Sequence, residues 1–317
     1  MKARSASTHV TAAALLVLSA AASLAAEPVS VTSLDDAGPG TLRDALGHAN
    51  RQGGATVTFQ VAGTIVVRSP LPALRAGATV VDGCTAPGVV ELLRDPAVTT
   101  SFDGLRIESA DNVIRCLAVR GFLRDGISVV GAGARNNLVE STTVTGSGDD
   151  GIGVAYGAEA TLRRNVVTGS TNKGVLVFQG SAATVEGNTL AGNLDGVSVT
   201  SGSTATIEAN AAENNGDNGI SVKTGSRALI RGNVVRVNQG IGIWLRDPDT
   251  AAAVLANAVD RNGSHGVGVR SGVHAEVSDN VVTANGGAGL WMQAGADVAL
   301  GDNTFDGNAK GDIKVAP

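Results

Sequence analysis

The chain has 317 residues, with 24 Lys and Arg against 29 Asp and Glu and a formal net charge of -5 at pH 7. An acidic chain without a basic run is a poor candidate for nucleic-acid binding, in which neutralised phosphates dominate the affinity. Aromatic residues make up only 3% of the chain and glycine occurs 43 times. This composition favours a fold that turns often around a thin aliphatic core.

Residues 1–25 have the features of a signal peptide. Lys2 and Arg4 precede a short apolar stretch, and small residues at positions 23–26 suit cleavage. The stretch is short for a membrane span, which needs about 20 residues, although an uncleaved anchor is the alternative. We expect a mature chain without a membrane span that is secreted, periplasmic or part of the cell envelope. An oxidising compartment permits a disulfide between Cys84 and Cys116, but two free thiols fit the spacing equally well.

The first element after this leader that the sequence predicts is a short helix from Thr41 to Asn50. Thr41 can cap it, and Leu42, Ala45 and Leu46 lie on one apolar face together with Ala49. We interpret this helix as a lid. We divide one continuous domain, 26–317, into the N-terminal cap with the first coils (26–102) and regular repeats (103–317).

Segments in which a glycine is followed by alternating apolar residues recur from residue 103 onward. Their glycines lie about 21 to 26 residues apart, and the apolar residues within each segment follow the period of two of a β-strand. The segments are Asp103-GLRIE, Asp125-GISVV, Asp150-GIGVA, Lys173-GVLVF, Asp195-GVSVT, Asn218-GISVK, Gln239-GIGIW, His265-GVGVR, Ala288-GLWMQ and Gly311-DIKVA. A repeat of this length predicts the strand column of a solenoid.

Two columns of asparagine lie in phase with these segments. The first contains Asn165, Asn188, Asn210, Asn233, Asn257, Asn280 and Asn303, and the second contains Asn193, Asn215, Asn238, Asn262, Asn285 and Asn308. Asparagine tolerates the left-handed backbone that a tight corner needs, and its amide can donate and accept along a stack. We therefore predict two asparagine ladders rather than ordinary turn asparagines.

Together these columns predict an all-β fold, a single-stranded right-handed parallel β-helix with a short N-terminal capping helix. A single coil cannot bury its own apolar face, so neighbouring coils must stack. Long amphipathic stretches, which helical repeats require, are absent from the sequence. No lid is predicted after the strand that ends at Val315, and an exposed strand edge invites pairing with another chain. Self-association through this C-terminal edge is therefore an expectation.

The N-terminal third contains a further set of motifs. They are VTSLDDAGPGTLRDAL (31–46), TVTFQVAGTIVV (56–67), TVVDGCTAPGVV (79–90) and NVIRCLAVRG (112–121). They resemble the opening of the pectate lyase-like β-helix proteins, especially the pectate lyase family. Similar openings occur in bacterial surface β-helix proteins with no known catalysis.

The resemblance to pectate lyases implies a calcium site and a catalytic lysine. The implied calcium ligands are Asp125, Glu140, Asp149 and Asp150, since calcium prefers several carboxylate oxygens. Lys173 falls where the family places a lysine that contacts the substrate carboxylate. The alternative for the aspartates is that an Asp before Gly only makes the turn.

One coil departs from the pectate lyase pattern. Where the family places the arginine that acts as the base, this sequence has Asn193, Leu194 and Asp195, and the coil contains no arginine. Loss of a proton-transfer group typically lowers a rate by a factor of about 10² to 10⁴. The departure argues against β-elimination.

Outward positions of the strand segments predict a carbohydrate-binding face. We assign to it Phe178, Lys223, Trp244, Arg246, Arg270 and Trp291, with Leu176 also pointing outward. Flat indole rings suit sugar faces, and the cations can meet uronate carboxylates. The alternative is that a loop covers this face and the rings are packing residues.

Two functions follow from these patterns. The first, which we favour, is a non-catalytic exported module that binds polysaccharide or envelope glycan. The second is a divergent calcium-dependent polysaccharide lyase acting on an acidic glycan. A histidine metal site is not expected, because the few histidines lack carboxylate-supported spacing. A polygalacturonase site would bring paired aspartates, here Asp149 and Asp150, close to a histidine, here His265. This site is excluded because Asp149 and His265 lie about five coils apart, far beyond contact at roughly 4.8 Å per coil.

Overall fold

The computed structural model describes residues 28–317, so the predicted signal peptide lies outside the described residues. Its regular elements are one α-helix, one short 3₁₀ helix and many short strands. In chain order they are β1 (Val29–Val31), α1 (Leu42–Gln52), β2 (Thr56–Phe59), β3 (Gly63–Val67), β4 (Val80–Asp82), the 3₁₀ helix (Gly83–Thr85), β5 (Val90–Arg94), β6 (Leu105–Ile107), β7 (Val113–Arg115), β8 (Leu117–Arg120), β9 (Ile127–Val130), β10 (Asn137–Glu140), β11 (Thr143–Thr145), β12 (Ile152–Ala155), β13 (Glu159–Arg163), β14 (Val166–Thr168), β15 (Lys173–Phe178), β16 (Ala182–Glu186), β17 (Thr189–Ala191), β18 (Asp195–Thr200), β19 (Thr204–Glu208), β20 (Ala211–Glu213), β21 (Ile220–Val222), β22 (Arg227–Arg231), β23 (Val234–Arg236), β24 (Ile243–Leu245), β25 (Ala251–Leu255), β26 (Ala258–Asp260), β27 (Val267–Val269), β28 (His274–Ser278), β29 (Val281–Thr283), β30 (Leu290–Gln293), β31 (Asp297–Leu300), β32 (Thr304–Asp306) and β33 (Ile313–Ala316).

The strands form three parallel sheets that run the length of the molecule. Sheet A contains β1, β2, β4, β7, β10, β13, β16, β19, β22, β25, β28 and β31; sheet B contains β3, β5, β8, β11, β14, β17, β20, β23, β26, β29 and β32; sheet C contains β6, β9, β12, β15, β18, β21, β24, β27, β30 and β33. The chain winds through about 11 right-handed turns. The predicted right-handed parallel β-helix is therefore confirmed.

The core is a stack of aliphatic side chains inside the coils. Val175 and Val177 of β15 are fully buried and lie in register with Ile152 and Val154 of β12. Leu176, between the two valines, points outward and is half-buried, as the period of two predicts. Because each coil buries its apolar face against its neighbours, stability is shared mainly between adjacent coils.

The asparagine ladders are confirmed, but one reason given for them is wrong. Asn188 donates its backbone N–H and its side-chain amide to Oδ1 of Asn210, each over 2.9 Å, and also donates to the carbonyl of Leu162. The left-handed conformation belongs to the residue before the asparagine, for example Ala209 before Asn210 with φ 55°. The asparagines are therefore selected for their buried amides and not for tolerance of positive φ.

The N-terminal end is closed as the sequence predicts. Thr41 caps α1 by accepting a hydrogen bond from the backbone N–H of Asp44, and the apolar face of the helix packs on β1 and β2. Cys84 and Cys116 form a disulfide with a Cα–Cα distance of 5.1 Å, which resolves the alternative left open by spacing. The bond ties the 3₁₀ helix to the residue that follows β7, on the neighbouring coil.

At the opposite end, β33 pairs with β30 on one side only. Ile313 is 45% exposed and Val315 is 64% exposed, whereas the corresponding inward residue Leu290 is fully buried. Among the residues that the structure describes, no helix has the length and apolarity needed to cross a membrane.

Candidate functional site

The outer face of sheet C, called the C face below, contains most of the predicted site residues. It divides into two regions along the solenoid axis. The acidic pocket consists of Asp103, Asp125, Asp149 and Asp150 with the surrounding wall, near β6, β9 and β12. The cationic–aromatic region consists of Lys223, Trp244, Arg246, His265, Arg270 and Trp291, near β21 to β30.

The turn that leads into sheet C places acidic side chains on three successive coils. Asp103, Asp125 and Asp150 each precede a glycine at an equivalent position. The glycines allow close stacking, since a Cβ atom at Gly126 would lie 2.8 Å from the carbonyl oxygen of Gly151. The Asp-Gly repeat therefore puts the three carboxylates in one column.

Three carboxylates of this pocket come close together. Asp125, Asp149 and Asp150 each place an oxygen within 4.8 Å of the others. Burial raises the pKa of Asp125 to about 7 and that of Asp150 to about 6, and the negative charge of Asp149 raises both. Repulsion inside the cluster is partly relieved by the backbone N–H of Lys173, which donates to Asp150 over 2.9 Å.

A cavity of about 620 Å³ lies over these carboxylates. In its wall, the side chain of Asp103 is only 6% exposed; Arg106 Nη1 lies 3.1 Å from its Oδ2, and Arg124 Nε lies 3.5 Å from its Oδ1. On the other side, Tyr156 and Phe178 meet edge to face with ring centroids 5.8 Å apart. The pocket thus offers carboxylates, two guanidinium groups and aromatic surface to one ligand.

The donor set of the pocket suits a hard divalent cation. Calcium takes six to eight oxygen ligands at about 2.3–2.6 Å, so two ligands of one ion lie at most about 5 Å apart. The oxygens of Asp125, Asp149 and Asp150, within 4.8 Å of one another, meet this condition. These three residues would hold the ion.

Glu140 does not lie with the three aspartates. It ends β10 in sheet A, where Arg163 Nε and Arg164 Nη2 lie 2.8 Å and 3.0 Å from its Oε2. Arg115 is 3.8 Å from its other oxygen. Three guanidinium groups already surround this carboxylate, so the structure separates it from the predicted calcium ligands.

Lys173 lies one coil beyond the acidic pocket, as the resemblance implies, but its ammonium group is engaged. Its Nζ is 2.8 Å from Oδ2 of Asp195, and the two side chains are only 14% and 4% exposed. Asp195 is the residue directly opposite Lys173 in sheet C and lies in the coil that lacks arginine. An ion pair therefore occupies the place where the lyase pattern expects a lysine and an arginine.

The aromatic part of the C face is a cluster of three rings. The centroids of Trp244 and Trp291 lie 5.9 Å apart, and His265 stacks on Trp291 at 5.5 Å. Arg270 lies over the Trp244 ring at 5.6 Å. Gly268 makes room for this cluster, because a Cβ atom there would lie 2.5 Å from the Trp244 ring.

His265 joins the cluster as a neutral group. Burial lowers its pKa, and the positive charges of Lys310 and Lys314 lower it further. Its Nδ1 accepts the backbone N–H of Ala288 over 2.9 Å, which fixes the ring against Trp291. The half-buried rings therefore form a fixed platform.

A larger trough, about 710 Å³, lies on the outer face of sheet A. Its floor is made of alanine and threonine, including Thr161, Thr184 and Thr206, with His274 and Asp297 paired at one edge. Its charged lining residues, which include Glu159, Arg227 and Glu276, are spread along the trough, and none of the described residues that line it is tryptophan, tyrosine or phenylalanine. The chemistry of the chain therefore points to the C face.

Sequence reasoning missed five residues of these regions: Asp103, Arg106, Arg124, Tyr156 and His265. Asp103 and His265 had a usable signal, because each directly precedes a glycine of the repeat, as Asp125 does. Arg124 and Tyr156 lie in irregular turns, whose direction the repeat does not fix.

The protein is a right-handed parallel β-solenoid. The outer face of its sheet C is large enough to hold a ligand. The family model described as "Right handed beta helix region" matches residues 103–257 and 195–316. The chain belongs to this family. No protein of curated function matches it in sequence.

Several solved structures share the architecture. The A-module of the Azotobacter vinelandii mannuronan C-5 epimerase AlgE4 has a TM-score of 0.67 and 16% identity, covering 92% of this chain and 98% of its own. The catalytic unit of the GH87 α-1,3-glucanase from Streptomyces thermodiastaticus strain HF3-3 has a TM-score of 0.58 and 15% identity, covering 90% and 69%. The periplasmic alginate epimerase AlgG has a TM-score of 0.55 and 14% identity, covering 86% and 82%. At these identities the likeness is one of fold.

Proposed function

We propose that this protein is an exported, non-catalytic module that binds polysaccharide along the C face. The observation that carries the proposal is the fixed platform of Trp244, His265 and Trp291 with Arg270 above it. Aromatic faces pack against the apolar faces of sugar rings, while cations beside them bind substituents. Phe178 and Tyr156 extend the aromatic surface to the other end of the face.

Two further facts support this function. The structural neighbours include proteins named as a mannuronan epimerase and an α-1,3-glucanase, so the fold serves polysaccharide chemistry elsewhere. The Cys84–Cys116 disulfide suits an oxidising compartment, in keeping with the proposed signal peptide of residues 1–25 and a secreted or periplasmic location. We propose that residues 26–317 act as one binding unit.

The test is a polysaccharide array followed by titration of the glycans that bind. Trp244→Ala and Trp291→Ala should each lower the affinity by at least about tenfold, which corresponds to about 1.4 kcal/mol. Val234→Ala, at an exposed position of sheet B, is the matched control and should bind as the native protein does. Unchanged binding by both tryptophan variants would exclude the platform as the site.

A calcium-dependent polysaccharide lyase is the second candidate, and the approach of Asp125, Asp149 and Asp150 within 4.8 Å favours it. A bound calcium ion would supply a positive charge that attracts a uronate carboxylate. Against this function, Lys173 is paired with Asp195 and the expected arginine is absent.

The lyase is tested by incubating the protein with acidic polysaccharides and following the absorbance of unsaturated uronides. Product that forms with calcium, disappears on chelation and is lost in Asp149→Ala would establish the lyase and exclude a purely binding role. Asp306→Ala, an exposed aspartate outside the pocket, is the control.

A further inference from the structure

Several charged residues on the outer faces of sheets A and B form ion pairs with the neighbouring coil, although Glu186 and Glu208 lie opposite each other as like charges. Arg231 of β22 lies 2.5 Å from Glu208 of β19, and Arg236 of β23 lies 3.0 Å from Glu213 of β20. In each pair the two residues are directly opposite in the register. A cation beside an anion is the favourable arrangement for neighbouring strands.

The cations of the cationic–aromatic region are arranged differently from these ion pairs. Lys223, Arg246 and Arg270 directly follow β21, β24 and β27 at equivalent positions, because the strand ends Val222, Leu245 and Val269 are in register. Neighbouring parallel strands are about 4.8 Å apart, so three like charges occupy three successive coils. None of the three takes part in an ion pair formed by residues 28–317.

The environment makes this cationic ladder unfavourable in the free protein. Lys223 is half-buried; burial lowers its pKa, and the charges of Arg246 and Lys173 lower it further, while Asp195 and Asp247 raise it. Asp217 is a further carboxylate that interacts with Arg246. The Nε atom of Arg246 is buried without a hydrogen-bond partner. Like charges on adjacent strands and an unpaired buried donor both reduce stability, so an anionic partner would relieve both.

We propose that Lys223, Arg246 and Arg270 form an anion-binding ladder for the acidic substituents, carboxylate or sulfate, of an extended glycan lying parallel to the solenoid axis. The inference rests on the proposed polysaccharide-binding function and names the class of its ligand as a polyanion. The planar guanidinium groups of Arg246 and Arg270 match the paired oxygens of either substituent. The net charge of the whole chain is -5, so general electrostatic attraction of the protein does not favour this ligand.

The experiment uses one polysaccharide backbone in three charge states: dextran, carboxymethyl dextran and dextran sulfate, with polygalacturonate as a natural uronate polymer. Affinities are measured by calorimetry at low and high salt. The charged polymers should bind at least tenfold more tightly than dextran, and this advantage should shrink with salt because exposed charges are screened. The carboxylated and sulfated arms decide which substituent is preferred.

The variant Lys223→Gln with Arg246→Gln should lose at least tenfold in affinity for the charged polymers and keep its affinity for neutral glycan. Its melting temperature at low salt should equal or exceed that of the native protein, because like-charge repulsion is removed. Arg231→Gln with Arg236→Gln, on sheets A and B, removes the same number of charges and should leave binding unchanged.

The outcomes separate the two proposals. Equal, salt-independent binding of charged and neutral glycans would overturn the anion ladder and leave the polysaccharide function standing. An equal loss of affinity for the charged polymers in the ladder variant and in the control variant would also overturn the proposed anion-binding ladder. Absence of binding to every glycan, on the array and in calorimetry, would overturn both.

Discussion

Two columns of this solenoid follow the same coils but are built differently. At the corner between sheets A and B, the same side chain recurs from Asn165 to Asn303. From Asn165 to Asn280 it is buried and hydrogen-bonded to its successor. At the turn into sheet C, the residue before the glycine changes from coil to coil: Asp103, Asp125, Asp150, Lys173, Asp195, Asn218, Ile241, His265 and Ala288. In the seventh segment the register selects Gly242, so the predicted alignment on Gln239 and Gly240 was wrong by two residues. The invariant column holds the coils together, and the variable column supplies chemistry.

The difference has a physical cause. Each buried asparagine amide of the invariant column bonds to the asparagine of the next coil and to a backbone carbonyl of the preceding coil, so a change at one position disturbs its neighbours. At the turn into sheet C each coil has its own partners: Asp150 accepts the backbone N–H of Lys173, and Asp195 forms an ion pair with the Lys173 side chain. The residue type can therefore differ from coil to coil while the backbone register is kept. A parallel β-helix can therefore keep its interior constant and place a site anywhere on its surface.

The largest effect is expected when the invariant column is broken. Asn210→Ala removes the acceptor for the backbone N–H of Asn188 and a donor to the carbonyl of Val185. With about 1–3 kcal/mol for each buried polar group left unsatisfied, the loss should be about 3 to 5 kcal/mol. Chemical denaturation measures it. Thr204→Ala, exposed on the same coil, should change the unfolding free energy by less than about 0.5 kcal/mol.

In the variable column, Asp125→Asn should stabilise the protein in a pH-dependent way. The folded-state pKa of about 7 lies above the ordinary 3.8, so the folded protein holds more protons than the unfolded chain between these values. Stability of the native protein therefore falls as pH rises from about 4 to 7, and the deficit is complete above that window.

Without calcium, the Asn variant should be more stable by about 2 kcal/mol at pH 8, a value discounted for partial exposure. The gain should disappear near pH 4. Thermal unfolding across this pH range, in a chelating buffer, provides the measurement, with Asp306→Asn as the control. If the Asn variant were less stable than the native protein at pH 8, the ionised carboxylate of Asp125 would not be destabilising.

Much of the fold could be predicted from the sequence because stacking coils repeat the same physical requirement. The strand column and the two ladders were visible for this reason. The helix that begins after Thr41 was visible because its capping residue and its apolar face are local signals. Contacts outside the repeat were not visible. The Cys84–Cys116 disulfide joins irregular coils, and which residue is left-handed depends on backbone geometry that the identity of Asn does not fix.

Only part of the candidate site could be predicted from the sequence. The different positions of Asp125, Asp150 and Glu140 show the reason. Asp125 and Asp150 precede a glycine of the repeat, which fixes them at the turn into sheet C. Glu140 is followed by Ser141, which has φ 51°, and it belongs to sheet A. An acidic residue can be assigned to a face only when its place relative to the repeating glycine is known.

A smaller effect is expected from Gly268→Ala, which tests how the platform is made. A Cβ atom would meet the Trp244 ring at 2.5 Å, so the ring must move away from Trp291 and Arg270. Glycan affinity should fall by about three- to tenfold, equivalent to roughly 0.7–1.4 kcal/mol. Gly133→Ala, where the nearest atom is 3.7 Å away, is the control. Native affinity in Gly268→Ala would show that ring position is unimportant.

The smallest effect concerns the matched charges of sheet A. Arg231 and Glu208 form a close pair, but their side chains are 52% and 35% exposed. Solvent screens such a pair, so Arg231→Gln should change the free energy of unfolding by no more than about 0.5 kcal/mol, with a smaller change at high salt. Urea unfolding at two salt concentrations decides the point. A loss above about 2 kcal/mol would mean that surface pairs, and not only the buried asparagine column, hold neighbouring coils together.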